Sequence, residues 1–495
     1  MYAFTSPPSH LPTFEADVLI LGAGISGLAA ARHLALEGRK VLLLEARDRI
    51  GGRIHTIPFG PGVAELGASF IHGVWGNPVW EVARKIGLPT KVLEERSGAV
   101  RDHQGKTLPP EKEQVIAGNA YETVFFHLRD TSQHSSPPPS SASLATALFT
   151  PSSPLYHNIP PTDSLSRFQV AAAARSWSGW TGADLTKVSY RWWGFERDTK
   201  GPDAAVVGGY IKLAEWCERT VLEKGGKVRL GEEVVHVTVD GNGVKVNTKS
   251  TRTEETRAHR APYCLITFPL GVLKARAARL FTPPLPPRRL ASISRLGHGL
   301  LNKVQVLYSS AWWAETHTND NFFLLPDPSD PGNTLGNPES PQGIYTLNMW
   351  SVEQVPAFCF FLGGTAGTNL ETMSDVEVES WARGMVKRYF SPDQEPPEPA
   401  KIVRTGWAHD PYALGSYSYI PPSPSDVHEQ DGAEVPSALD MIELSRPLFG
   451  KLFWAGEHTE MDEYASVHGA WASGVREGRA IEVMLANRDD EESAA

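Results

Sequence analysis

Hydrophobic positions near the start of the chain fall into a strand–helix–strand order. Residues 17–21 (DVLIL) are a short apolar run, residues 26–37 (SGLAAARHLALE) carry apolar side chains at helical spacing, and residues 40–45 (KVLLLE) are a second apolar run. This alternation predicts a βαβ unit and a parallel sheet. Further on, residues 227–248 (KVRLGEEVVHVTVDGNGVKVNT) read as strands folded back at an Asp240-Gly241-Asn242-Gly243 turn, and residues 264–268 (CLITF) as another buried strand. Residues 131–163, 326–343 and 421–436 lack such a period and read as loops, rich in Pro, Ser, Asp and Gly. The first of them contains the run Pro137-Pro138-Pro139. It is expected to be a disordered insertion, too poor in apolar surface to offset its ordering entropy, or else a segment that covers the site.

The chain has 495 residues, more than one core usually organises, so two domains or one domain with a large insertion are expected. Its net charge of −10 argues against nucleic acid as a partner and suits a site that attracts cations. The cysteines Cys217, Cys264 and Cys359 show no CxxC spacing, and an odd number gives no disulfide framework. Cys264 and Cys359 lie in apolar runs, where a thiol behaves as a small hydrophobe, so a reducing compartment is expected. No stretch reaches the roughly 18 apolar residues of a membrane span. The opening MYAFTSPPSHLPTFEA lacks the pattern of a signal peptide, and the closing RDDEESAA lacks a peroxisomal address. A cytoplasmic location is the resulting expectation, and no metal-ligand set is assigned.

Between the first strand and the helix stands Gly22-Ala23-Gly24-Ile25-Ser26-Gly27. Gly22 suits a tight turn, Gly24 lets the backbone approach a pyrophosphate, and Gly27 lets helix and sheet pack closely. The helix N-terminus, with Ser26 in its first turn, would then face the phosphates with exposed N–H groups. Glu45 ends the second strand about 20 residues on, where an acid can hold a ribose hydroxyl. NAD and FAD share this fingerprint. The stretch Glu45-Ala46-Arg47-Asp48-Arg49-Ile50-Gly51-Gly52-Arg53 favours FAD, because its glycine pair with Arg53 resembles the motif that flavin amine oxidases place after their dinucleotide fold.

The resemblance to flavin amine oxidases then runs almost end to end, interrupted mainly by the Pro/Ser-rich loops. It implies an α/β, two-domain flavin amine oxidase fold, with a Rossmann-type FAD-binding domain and a mixed-sheet α+β substrate domain. The expected FAD domain is discontinuous, over residues 14–96, 220–270 and 448–488. The substrate domain is expected from residues 97–219 and 271–447, with the active site between the two. Arg53 would meet the pyrophosphate as a charge-assisted donor. Residues 64–73 (AELGASFIHG) look like the segment that passes the flavin ring and include Gly67 and Ala68. His72 stands where polyamine oxidases carry a histidine near the substrate amine. Residues 203–213 (DAAVVGGYIKL) resemble the family's stretch before a helix, and Val234 and Val235 a strand whose backbone touches the adenine. Residues 268–274 (FPLGVLK) and 297–304 (GHGLLNKV) are similar to family segments, and the lysine at the Lys303 position holds a water against the flavin.

Trp407 and residues 415–419 (GSYSY) resemble the flavin-facing loop. Monoamine oxidases attach their flavin through a cysteine at the position of Ser416, and a serine makes no thioether, so the FAD is expected to be non-covalent. Tyr417 keeps one wall of their aromatic cage, while the other falls at Ser466. Half a cage suits an extended polyamine better than a flat aromatic amine. Residues 452–459 (LFWAGEHT) read as a strand entering a turn, and Glu457, after Gly456, resembles the family residue that contacts the ribityl or phosphate region. Val467 opens a helix whose amides would meet the electron-rich edge of the flavin.

The resemblance implies oxidation of a neutral amine by hydride transfer to flavin in a pocket lined by Phe70, Trp407, Tyr417 and Tyr419. Imine hydrolysis and reduction of O₂ to hydrogen peroxide would come next. Spermine, spermidine or an acetylated polyamine is the expected substrate. Three other readings stay open. One is a different amine or an L-amino acid, with Arg191 as a candidate for the carboxylate. A second is a specialised pathway, and a third is a catalytically idle FAD scaffold. The histone-demethylase branch carries a SWIRM domain and a long helical insertion, for which the chain offers no room.

Overall fold

The computed structural model describes residues 14–93, 98–134, 136–197, 199–424 and 434–494. The expected strand–helix–strand unit is present as Val18–Leu21, Ile25–Leu36 and Val41–Glu45. Its strands lie inside a five-stranded sheet ordered Leu452–Trp454, Tyr263–Ile266, Val18–Leu21, Val41–Glu45 and Lys227–Leu230. Every pairing in this sheet is parallel.

The near-continuous apolar runs of these strands reflect burial on both faces. Val18, Ile20, Val41 and Leu43 pack on one side with helices Ile25–Leu36, Ile211–Glu223 and Val467–Ala494. Leu19, Leu21, Leu42 and Leu44 pack on the other, against Val237, Val244, Val246, Leu270 and Leu273. The 227–248 segment divides at Gly231. Lys227–Leu230 joins the parallel sheet, while Glu232–Asp240 and Gly243–Ser250 form an antiparallel hairpin at the expected turn.

The second layer is a six-stranded sheet ordered Lys401–Arg404, Leu301–Leu307, Ala357–Gly363, Ile344–Asn348, Asn321–Leu324 and Gly98–Arg101. It is antiparallel except for its last pair. Trp313, Phe322, Phe358 and Phe360 fill the core beneath it. The whole is a two-domain α/β fold with a parallel nucleotide-type sheet and a mixed sheet beside it.

Residues 131–163 correct the sequence reading, because the described part of this segment is folded rather than a disordered insertion. Leu144–Leu148 is a short helix capped by Ser143, whose hydroxyl accepts from Thr146 N–H. Leu144, Leu148, Leu155 and Ile159 are buried with Ile116, Val124 and Val170. Leu144 N–H and Tyr190 N–H, donating to the carbonyls of Val188 and Ala142, tie the segment to its neighbours. Four aliphatic anchors suffice where the composition as a whole reads as polar. Residues 326–343 form turns and isolated bridges, as expected. The reading of 421–436 as a loop falls in part, and that of residues 1–13 wholly, outside the described residues. No helix among the described residues is long and apolar enough to cross a membrane.

Candidate active site

One cavity of about 1200 Å³ runs from the C-terminal ends of the parallel strands to the six-stranded sheet. That exceeds the roughly 300–1,000 Å³ of ordinary small-ligand pockets, leaving room for a dinucleotide and a second molecule. Of the site residues read from the sequence, all border it except Gly27, Val235 and the alternative candidate Arg191. Gly27 acts through packing instead. A Cβ added there would stand 2.1 Å from the Gly22 carbonyl oxygen, so only glycine lets the helix approach the strand.

The end of the cavity at helix Ile25–Leu36 is built from backbone. Gly24 is the N-cap of helix Ile25–Leu36 and offers no side-chain cap, so the first helical N–H groups are left for a ligand. A Cβ at Gly24 would meet nothing within 4 Å, which marks open space over the turn. Ser26 lies in the same turn, its hydroxyl 3.3 Å from that of Ser473. Glu45 accepts from the N–H groups of Ala23 at 2.8 Å and Arg47 at 2.9 Å, and so fixes the loop beside the cavity. Burial raises the pKa of this carboxyl against those two N–H bonds. Ala46, Gly52 and Val234 border the same end. Arg47 forms a two-bond pair with Asp410 at 2.7 and 2.8 Å, a partner the sequence reading missed.

Arg53 donates to Glu457 at 2.9 Å and to the Ser416 carbonyl at 2.6 Å, locking three distant segments together. Burial by itself would raise the pKa of Glu457. The Arg53 charge, aided by His458, His298 and a hydrogen bond from Ser418, holds it down to about 2. A depressed carboxylate adds stability above its unfolded pKa and loses it as pH falls through the folded one. The expected outcome is that an Arg53→Met variant, scanned by thermal melting from about pH 5 to about pH 2, loses less stability than the parent in that window, by up to about 3 kcal/mol. An equally steep loss in the variant would contradict the pairing.

Lys303 is carried into the wall by strand Leu301–Leu307 and is 3% exposed. Its Nζ donates to the Glu65 carbonyl at 3.1 Å, to the Ser69 hydroxyl at 2.6 Å and to the Gly67 carbonyl. Burial lowers its pKa, with Cys359 and Glu65 opposing that shift. Ala68 lies between two of these partners. Trp407 donates its indole N–H to the Leu66 carbonyl at 3.0 Å and walls the same segment. The Ser416 hydroxyl is fully engaged with the backbone of Leu301, accepting at 2.9 Å and donating at 3.0 Å.

His72 Nδ1 is 2.8 Å from Asp203 Oδ2, and Asp203 Oδ1 accepts from Gly73 N–H at 2.8 Å. Asp203 stays ionised at neutral pH: burial opposes this, but the His72 hydrogen bond and charge lower its pKa. Burial also lowers the pKa of neighbouring His468 to about 3. The Tyr417 hydroxyl donates to the Gly179 carbonyl, and Phe70, Tyr419 and Ser466 also line the cavity. Gly456, Glu457 and Val467 complete this side. Among the rings the sequence reading missed, Tyr121, Phe125, Trp177, Trp180 and Trp193 also line the cavity. Trp180 lies 5.4 Å from His72 and 5.9 Å from Trp177. Arg191 is not among the cavity residues, whereas Arg129 and Arg197 are.

The sequence pattern of the flavin-containing amine oxidoreductases matches residues 25–481. The chain belongs to this family, and its cofactor is FAD. The open turn at Gly24, the buried Glu45 and the Arg53–Glu457 pair fit that group. Among curated relatives, the rice protein named lysine-specific histone demethylase 1 homolog 3 is 30% identical over 95% of this chain and 54% of its own length. Rice polyamine oxidase 4 is 28% identical over 94% of this chain and 89% of its own. Polyamine oxidase 2 of Arabidopsis thaliana is 29% identical over 95% and 89%. The chain thus spans about half the length of the demethylase homologues and most of the length of the polyamine oxidases.

Proposed function

We propose that the chain oxidises an amine, specifically a polyamine such as spermine, spermidine or an acetylated form, with O₂ as the acceptor. The observation that carries this reading is the His72–Asp203 pair set in an aromatic cavity that also receives Lys303. Asp203 takes the hydrogen on Nδ1, so a neutral His72 presents Nε2 as an acceptor. Free aliphatic amines have pKa values of about 10.4, and the reacting nitrogen must be neutral. A poorly solvated pocket lowers that value by desolvation, and Nε2 accepts the departing proton. Asp203 stabilises the imidazolium that results. Faces of Trp180 and Trp177 suit the remaining cationic groups of a long amine. When bound, FAD supplies the hydride acceptor and, through O₂, the route to hydrogen peroxide. Lys303 takes up and releases protons at the Ser69 end of the wall. The discontinuous division into an FAD domain and a substrate domain is part of the same proposal, with the cavity between the two.

The test is product analysis. Spermine supplied to the holoenzyme is expected to yield hydrogen peroxide, an aminoaldehyde and a shorter amine in equal amounts. Arg129 and Arg197 favour a second reading, an amine that carries a carboxylate. Peroxide from L-leucine but none from any polyamine would select it.

A further inference from the structure

Lys303 is held by three acceptors, and an ammonium has three donors. Two of the acceptors are carbonyls, which cannot pass a proton on. The Ser69 hydroxyl is the partner through which Nζ can exchange one. Ser69 borders the large cavity and also a second one, of about 10 Å³, bounded by Glu65, Gln305, Glu353 and Cys359. A volume of that order holds a single water where polar partners surround it. Gln305 donates from Nε2 to the Glu65 carbonyl at 2.9 Å, while its Oε1 is buried with no hydrogen-bond partner among the described residues. Glu353 is partly exposed, and its carboxylate accepts from Gly208 N–H at 3.2 Å.

We propose that Ser69, a water held by Gln305, and Glu353 form a proton route between Lys303 and solvent that bypasses the substrate cavity. One proton passes from Nζ to Ser69 Oγ as the hydroxyl gives its own to the water, and the water gives one to a Glu353 carboxylate oxygen. Lys303 ends neutral and Glu353 ends as the acid, while Ser69 and the water are unchanged. Glu353 then releases the proton to solvent, and the reverse sequence reloads Lys303. No electrons move. Burial raises the pKa of Glu353 to about 7, with Gly208 N–H and Lys212 opposing and Glu65 adding to it. Cys359 also faces the cavity, and burial keeps it a thiol. The route rests on the reading of Lys303 as a residue that exchanges protons at the reaction site.

The test uses Glu353→Gln, Ser69→Ala and Lys303→Met holoenzymes. Each is bleached anaerobically with amine and mixed with O₂ from about pH 5 to about pH 9, and recovery of the flavin absorbance is timed. The parent is expected to show an inflection near pH 7. Glu353→Gln and Ser69→Ala are expected to lose it and to run about 10-fold slower. Thermal melting gives a second readout. A carboxyl whose pKa rises on folding binds more protons folded than unfolded between about 4.5 and 7, so parent stability falls as pH rises through that window. Glu353→Gln should lack that fall. Parent-like rates, inflection and melting in Glu353→Gln, with Lys303→Met slowed, would overturn the route alone. Parent-like rates in Lys303→Met would overturn the reading of Lys303 beneath it.

Discussion

Lys303→Met is expected to slow turnover about 100-fold while the protein keeps its full complement of FAD. The magnitude is that of a lost proton-handling or water-positioning group. Methionine has nearly the length of lysine, so the wall stays filled. What disappears is the set of donors to the Glu65 and Gly67 carbonyls and the Ser69 hydroxyl. The Glu65 carbonyl keeps its bond from Gln305 Nε2, so only the Gly67 carbonyl loses its donor, at about 1–3 kcal/mol, partly offset because a buried cation is removed as well. The variant should therefore stay folded. Steady-state turnover, with FAD per chain read from the visible spectrum, separates the two effects. Normal turnover would refute the role assigned to Lys303.

Gly67→Ala is expected to act in the opposite way, through loss of the cofactor. A Cβ on residue 67 would stand 1.7 Å from the Arg53 carbonyl oxygen, a clash of backbone that no side-chain rotation relieves. The two segments must separate. That displaces both Arg53, which holds Glu457, and the Gly67 carbonyl, which holds Lys303. Forced overpacking typically costs about 1–3 kcal/mol, and the upper end corresponds to about a 100-fold weaker hold on FAD. Purified variant should lose its flavin on dialysis. Retention of FAD with parental affinity would show that the contact between residues 53 and 67 does not shape the site.

Much of the nucleotide half was legible because its strands are buried on both faces and its turn needs glycine at fixed positions. Gly22, Gly24, Gly27 and Glu45 carry that chemistry within a short stretch of chain. The residues proposed for catalysis, His72, Lys303 and Tyr417, stand out in the sequence only through family motifs. Partners do not, since Asp203 lies 131 positions from His72 and Asp410 lies 363 from Arg47. No local period signals such pairs. Part of the aromatic lining escaped for the same reason. Tyr121 and Phe125 come from one helical stretch, Trp177 and Trp180 from another, and only tertiary packing brings them together. Residues 131–163 were misread because composition averages over the segment, whereas burial depends on Leu144, Leu148, Leu155 and Ile159 alone.

If one cavity holds FAD and a polyamine together, the amine must reduce the flavin without any other protein. The most direct test is to add spermine anaerobically to the purified protein and follow the flavin absorbance, with benzylamine and L-leucine in parallel. Complete bleaching by spermine, with the other two inert, is the predicted result. A flavin that stays oxidised with spermine, spermidine and their acetylated forms would contradict it.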